Sequence, residues 1–359
     1  MKKLILAATT LVMALSACSD NKAPETVSTA EEKPQKAQKV VVYNWTEYIP
    51  ADVLTAFTEE TGIEVEYATY ESNEAMFAKV KLLDGAGYDI VVPSTYFLEK
   101  MRKQDLLQPI DKSKLSNFAN LDTDMLNKEY DPQNTYSVPY LWGSTSIAIN
   151  ADEVDADSIT SWHDLWKPEF SGRLMIMDDL RDMFAMALKV AGKPLNTSSE
   201  ADIKAGYEEL KKLWPSIKVI NSDSPKTPLI QGNVDLGVMW NGEAYMAQQE
   251  MGNVKFIYPQ EGAVLWVDSF VIPKNAENVE NAHKFIDFML RAESGKAAIE
   301  ELGYAAPNKA SYALLDEELR NNTMIFPSSE DIAKGSFHQD LGEANLIYEK
   351  YWELLKAGK

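Results

Sequence analysis

From Lys39 onward, short apolar runs alternate with segments of helical period, and no other feature of the chain restricts its fold so strongly. Residues 40–43 read as a strand, 50–61 as a helix with Pro50 near its start and Gly62 after its end, and 63–69 as a second strand. A further helix over 73–83 stops near Gly85. The run Tyr88-Asp89-Ile90-Val91-Val92 then has the nearly unbroken apolar character of a strand covered on both faces, which is the signature of a parallel sheet. The pattern repeats in a second block. Residues 140–150 are extended, 172–177 a strand, 182–190 a helix ended by Gly192, 200–213 a helix, 218–220 a strand, and 235–240 a strand leading into a helix from Gly242. An extended run over 266–272, a helix over 279–290 and a closing helix over 343–355 complete an α/β chain with no internal repeat.

The N-terminal end bears on compartment. Lys2 and Lys3 precede an apolar stretch over 4–13, followed by Leu15-Ser16-Ala17-Cys18, the pattern of an export signal ending in a lipobox. Residues 1–18 are therefore expected to be a lipoprotein signal peptide, with Cys18 as lipid anchor and 19–38, rich in Glu, Lys, Ala, Thr and Pro, as a flexible tether. Cys18 is the only cysteine, so the exported body must fold without disulfides. Its 341 residues and 45% hydrophobic content suit about two domains. The net charge is −20, or −22 without Lys2 and Lys3, which disfavours nucleic acid and favours cations. Surface acids serve solubility as well, so the charge points to a cationic ligand only if acids also gather at a site.

The uncommon side chains cluster after predicted strands: Trp45 and Tyr48, Ser94 and Tyr96, Asp179, and Trp240. Ligands of open α/β sheets bind beyond the carboxyl ends of strands, so these residues can converge in one crevice. Candidate acids are Glu47, Asp179, Asp182 and Asp268; candidate aromatic walls are Trp45, Tyr48, Tyr96, Trp240, Trp266 and Tyr304. An elongated cation fits that combination. Its ammonium groups need carboxylates once they leave water, and its methylenes need flat apolar surface. Each residue also has a plainer role. Asp178, Asp179 and Asp182 surround a helix start, where acids are favoured by capping and by the helix dipole. Asp179 and Asp182 nevertheless share a helix face, with Arg181 directed elsewhere, and Trp266 and Asp268 share a strand face. A catalytic reading finds little support: His163, His283 and His338 lie far apart, and metalloprotease, nucleophile-elbow and phosphate-loop motifs are missing. Carboxylate pairs such as Asp178 and Asp179 fit a glycosidase only at a suitable separation in space.

Four segments carry a resemblance: Tyr43-Asn44-Trp45-Thr46-Glu47-Tyr48, Val91-Val92-Pro93-Ser94-Thr95-Tyr96, Leu236-Gly237-Val238-Met239-Trp240-Asn241-Gly242 and Trp266-Val267-Asp268-Ser269. Together with 160–166 and 303–308, in this order, the chain from about Val40 resembles the spermidine/putrescine-binding proteins of bacterial polyamine ABC importers. The resemblance implies a two-lobed type II periplasmic binding-protein fold, with the chain crossing between lobes near 146–150 and 268–273. Lobe 1 would comprise 39–146 and 270–306, lobe 2 residues 147–269 and 307–359, and the ligand cleft would lie between them. It implies that Asp179 and Asp182 hold one terminal ammonium, Asp268 the internal amine, and Thr46, Glu47, Ser94 and Tyr96 the other end, with Trp45, Tyr48, Trp240, Trp266 and Tyr304 along the methylenes. No cofactor and no catalysis are expected. The expected product is a periplasmic monomer that delivers spermidine or putrescine to a permease and its ATPase, and touches the membrane only through Cys18. Two positions depart from the spermidine-preferring pattern, both near one expected ammonium: Asp182 stands for the longer Glu, and His338 for Gln, where a protonated ring would repel a cation, so length preference and pH response are expected to differ. The motif does not match at His338, however, and a histidine there reads more simply as a surface residue. His338 is therefore expected to be a surface residue outside the site, with Gln339 a possible substitute. Receptors for iron, thiamine or sugar on a similar fold, and a hydrolase, are the rival readings.

Overall fold

The computed structural model describes residues 38–358, so the expected signal peptide, Cys18 and all of the expected tether but Gln38 lie outside the described residues. Strands β1 (Lys39–Trp45) and β2 (Glu64–Tyr70) pair in parallel around helix α1 (Ala51–Thr61). Gly62, at φ 69°, ends α1 in the left-handed conformation and donates its N–H to the Thr58 carbonyl, the helix stop that its position predicts. Helix α2 (Asn73–Leu82), capped by the Ser72 hydroxyl, leads to the short strand β3 (Ile90–Val91) beside β1. Helix α3 (Thr95–Lys103) follows at once, where the sequence shows only a loop of interest.

The long strand β4 (Ser137–Asn150) opens the second block, followed by β5 (Leu174–Ile176), α4 (Leu180–Val190), α5 (Glu200–Leu213) and β6 (Ile217–Ile220). Next come α6 (Lys226–Ile230), β7 (Leu236–Trp240), α7 (Asn241–Met251), β8 (Val254–Ile257) and β9 (Val264–Val271). Helices α8 (Val279–Met289), α9 (Ala292–Leu302), α10 (Lys309–Leu314), α11 (Glu317–Arg320) and α12 (Ser329–Lys334) precede β10 (Ser336–Phe337) and the closing helix α13 (Asn345–Lys356).

The strands run in the order β2-β1-β3-β9-β4-β7-β5-β6, with β10 added to β9 and β8 to β4. Parallel pairs on either side (β1 with β2 and β3; β5 with β6 and β7) flank the antiparallel pair β4 and β9. β4 pairs with β9 from Ser137 to Thr145 and with β7 from Thr145 to Ile149, so one strand serves both halves. Nearly all its residues are buried, because it is covered on both faces; the polar alternation of a half-exposed strand is missing accordingly.

Two hydrophobic cores result. One gathers Val40, Val42, Phe57, Ile90, Leu98, Leu141, Phe270 and Phe285; the other gathers Ile147, Ile149, Trp162, Met175, Phe184, Leu210, Val238 and Tyr348. Trp266 packs in the first core and Ile299 and Ala305 in the second, while the half-buried Trp240 touches both. This is the two-lobed α/β fold, and the seam between the cores is where strands β1, β3, β5 and β7 point their carboxyl ends.

Candidate ligand-binding cleft

Strand ends deliver most of the functional side chains, while Trp266 and Asp268 lie within β9 and Tyr304 follows the end of α9. β1 ends at Trp45, and the turn beyond it carries Thr46, Glu47 and Tyr48; Glu47 takes the left-handed conformation, φ 49°, uncommon for a residue with a side chain. β3 delivers Ser94 and Tyr96, β5 delivers Asp179 and Asp182, β7 ends on Trp240, and β9 presents Trp266 and Asp268 on one face. These residues surround one cavity, with about 620 Å³ of atom-free space when its open mouth is included.

Of the residues expected from sequence, Trp45, Thr46, Tyr48, Ser94, Tyr96, Asp179, Asp182, Trp240, Trp266, Asp268 and Tyr304 all line this cavity. Glu47 does not: its side chain is half-exposed and forms an ion pair with Lys226. His338, expected at the surface, is buried and lines the cavity, because β10 pairs with β9 and carries the following residue inward. Tyr70, Asn73, Ser222, Asp223 and Glu243 also line it and were not singled out by sequence. For Asn73 and Glu243 a signal existed in the helix starts that follow β2 and β7.

Asp268 lies at the centre. Its two oxygens accept hydrogen bonds from the Ser94 hydroxyl (2.6 Å) and the Tyr48 phenol (2.8 Å), and Asn73 holds Ser94 and Tyr96 in turn through its amide. Burial pushes the Asp268 carboxyl up to about 7, opposed by the Ser94 and Tyr48 hydrogen bonds and reinforced by the charge on Asp182.

Asp182 occupies the Tyr96 side. It accepts hydrogen bonds from the Thr145 hydroxyl (2.6 Å) and the Trp240 indole (3.4 Å), and its other oxygen lies 2.8 Å from His338 Nε2. Burial, aided by the nearby Arg181 guanidinium, lowers the His338 imidazole, with the Asp182 hydrogen bond opposing. A neutral ring between a carboxylate at Nε2 and the Arg181 guanidinium at Nδ1 (3.5 Å) carries its proton on Nε2 and donates it to Asp182. Arg181 itself turns away to Asn345 and stacks over Tyr96 and Tyr348. Asp179 fulfils both readings offered by sequence. One oxygen caps α4 by accepting from the Arg181 and Asp182 N–H groups, yet the carboxyl lines the cavity, and burial raises its affinity for a proton well above the ordinary.

Aromatic rings form the walls. Trp45 meets Trp240 across the seam at 6.0 Å between ring centres, and Tyr304 packs edge-on against Tyr48 and Trp266. The close approach depends on two glycines: a Cβ on Gly143 would fall 2.7 Å from the Trp266 ring, and one on Gly242 2.3 Å from the Tyr304 ring. The indole N–H of Trp266 and the hydroxyl of Ser222 are buried without a hydrogen-bond partner in the protein, leaving polar positions for a ligand or water to satisfy.

Five carboxylates thus line the cavity (Asp179, Asp182, Asp223, Glu243 and Asp268), and no lysine or arginine is among its described lining residues. Such a site attracts a cation, and its indole and phenol faces add attraction for ammonium groups on the order of 0.5–2 kcal/mol each.

Comparison with known proteins agrees with this chemistry. The model of the bacterial extracellular solute-binding protein family matches residues 52–327. The spermidine/putrescine-binding periplasmic protein of Escherichia coli (strain K12) is 50% identical over 317 residues, covering 88% of this chain and 91% of that protein. The spermidine/putrescine-binding periplasmic protein 1 of Haemophilus influenzae is 40% identical over 99% of this chain and 98% of its own. Among solved structures, the spermidine/putrescine ABC transporter substrate-binding protein PotD from Streptococcus pneumoniae superposes with a TM-score of 0.75 at 37% identity, covering 89% of this chain and 99% of that one.

Proposed function

The chain belongs to the bacterial extracellular solute-binding protein family, and on that premise we propose that it is the substrate-binding component of an ABC importer whose cargo is a polyamine, spermidine or putrescine. The observation that carries this reading is the cavity of five carboxylates and aromatic walls with no basic side chain among its described lining residues. Ammonium groups that leave water need carboxylates at intervals, and the methylenes between them need flat apolar surface.

In this reading Asp179 and Asp182 hold one terminal ammonium and Asp268 an inner one. Thr46, Ser94 and Tyr96 assist, and Trp45, Tyr48, Trp240, Trp266 and Tyr304 enclose the methylenes. Glu47 acts through its partner Lys226. The lobes, with boundaries near 146 and 270, close on the ligand because it contacts both and so favours the closed form. The closed monomer then docks on a membrane permease whose ATPase drives import. Capture takes place in the periplasm, with the body tethered through lipid on Cys18.

Isothermal titration with spermidine, putrescine, cadaverine, maltose and thiamine tests the assignment. Binding of polyamines alone, micromolar or tighter, is the expected result; binding of maltose or thiamine without polyamines would reject it.

A further inference from the structure

Beyond the residues just assigned, a lysine stands beside the cavity, behind its Glu243 wall. Lys226, the first residue of α6, is buried, and its ammonium pairs with Glu47 from the opposite lobe and lies 3.6 Å from Glu243 Oε2. Its backbone N–H donates to the same Glu243 oxygen (3.1 Å), so the lysine is fixed at both ends of its length. Glu243 is a cavity-lining residue, and its charge and those of Asp268 and Glu47 all reach Tyr304. Of the acids in and beside the cleft, Asp179 and Asp182 lie toward Tyr96 and Glu243 and Glu47 toward Tyr304, with Asp268 between the two pairs.

A lysine side chain is four methylenes ending in an ammonium, the same chemical unit as the aminobutyl arm of a polyamine. We propose that Lys226 is a resident ammonium that backs the Tyr304 end of the cleft through Glu243 and thereby sets how many charged nitrogens the ligand can bring. This rests on the polyamine reading above. Lys226 offsets one of the two charges of Glu47 and Glu243, so this end offers the ligand one uncompensated charge fewer, and a third ammonium that reaches it must compete with Lys226. The residue acts on ligand choice by length and charge, with no step of chemistry.

The test is titration of the full-length protein, wild type and K226M, with spermidine as triamine and putrescine as diamine. K226M keeps an apolar stem and removes the charge, and the triamine-to-diamine affinity ratio is expected to rise at least tenfold. K226R, which restores the charge, is expected to move the ratio back toward the wild-type value. K226Q gives the same reading if K226M does not fold, as checked by circular dichroism. A ratio that stays constant or falls, with both affinities weakened in parallel, overturns the proposal and leaves Lys226 as an ion pair between lobes. Failure of the wild type to bind either amine overturns the polyamine reading itself, and this inference with it.

Discussion

At the Tyr96 end of the cleft, Asp182 is held by a threonine hydroxyl, an indole N–H and an imidazole whose proton affinity is lowered by burial; at the Tyr304 end, Glu47 and Glu243 share the ammonium of Lys226. Neutral donors orient a carboxylate and leave its charge uncompensated, whereas a lysine shared by two carboxylates offsets one of their two charges. The first end is therefore the more open to an incoming cation, and the second is partly compensated. Asp268 stands between them, held by two neutral hydroxyls and kept so dry that its carboxyl titrates at about 7.

The largest effect is expected at Asp268. Asp268→Asn keeps the shape but leaves a buried amine without its counter-charge, and polyamine affinity should fall on the order of 100-fold, about 3 kcal/mol, by calorimetric titration. The same variant should be more stable than the wild type when no ligand is added. The native carboxyl at about 7 holds its proton more tightly than the unfolded one at 3.8, so stability falls as pH rises between those values and stays low above. Thermal unfolding should show a gain of about 2–4 kcal/mol for Asp268→Asn at pH 8 and little at pH 4.

Next in size, Asp182→Asn should weaken binding roughly tenfold by removing uncompensated charge, while Glu243→Gln, at the end held by Lys226, should change it less than threefold. Equal losses at the two ends would erase the contrast between them.

The smallest effect concerns His338. Its imidazole is neutral near pH 7 and becomes a cation beside Asp182 only on acidification, where it competes with the ligand ammonium. His338→Gln should therefore flatten the loss of affinity on acidification below pH 6.5 by a few-fold, read from titrations at falling pH.

The sequence made the strand ends legible because the side-chain period and the turn residues act locally: Trp45, Ser94, Asp179 and Trp240 follow apolar runs that do form strands. Asp179 shows the limit of such reasoning, since capping and cavity lining draw on the same residue type at the same position, and the fold uses both. Lys226 was not legible, and His338 was legible only through the family pattern, which set it near the same ammonium as Asp182 while the residue itself read as a surface histidine. Lys226 meets Glu47 from 179 positions away, and His338 reaches Asp182 from 156. The two-residue strand β10 that brings His338 inward has no period to detect, and its position is set by pairing with β9. Helices α3 and α6 were missed for a related reason: they start within the binding loops, where short polar and proline-containing segments read as turns.

At the centre of the cleft, the buried Asp268 carboxyl, pushed up to about 7, waits partly protonated for a ligand that brings positive charge. The most direct measurement is calorimetric titration of polyamine at pH 7 in two buffers of different ionisation enthalpy, which counts protons exchanged on binding. A carboxyl titrating at about 7 that becomes a counter-ion for an ammonium should release about half a proton per polyamine bound, with the release disappearing in Asp268→Asn. Binding without proton release in the wild type, or with proton uptake, would contradict the account.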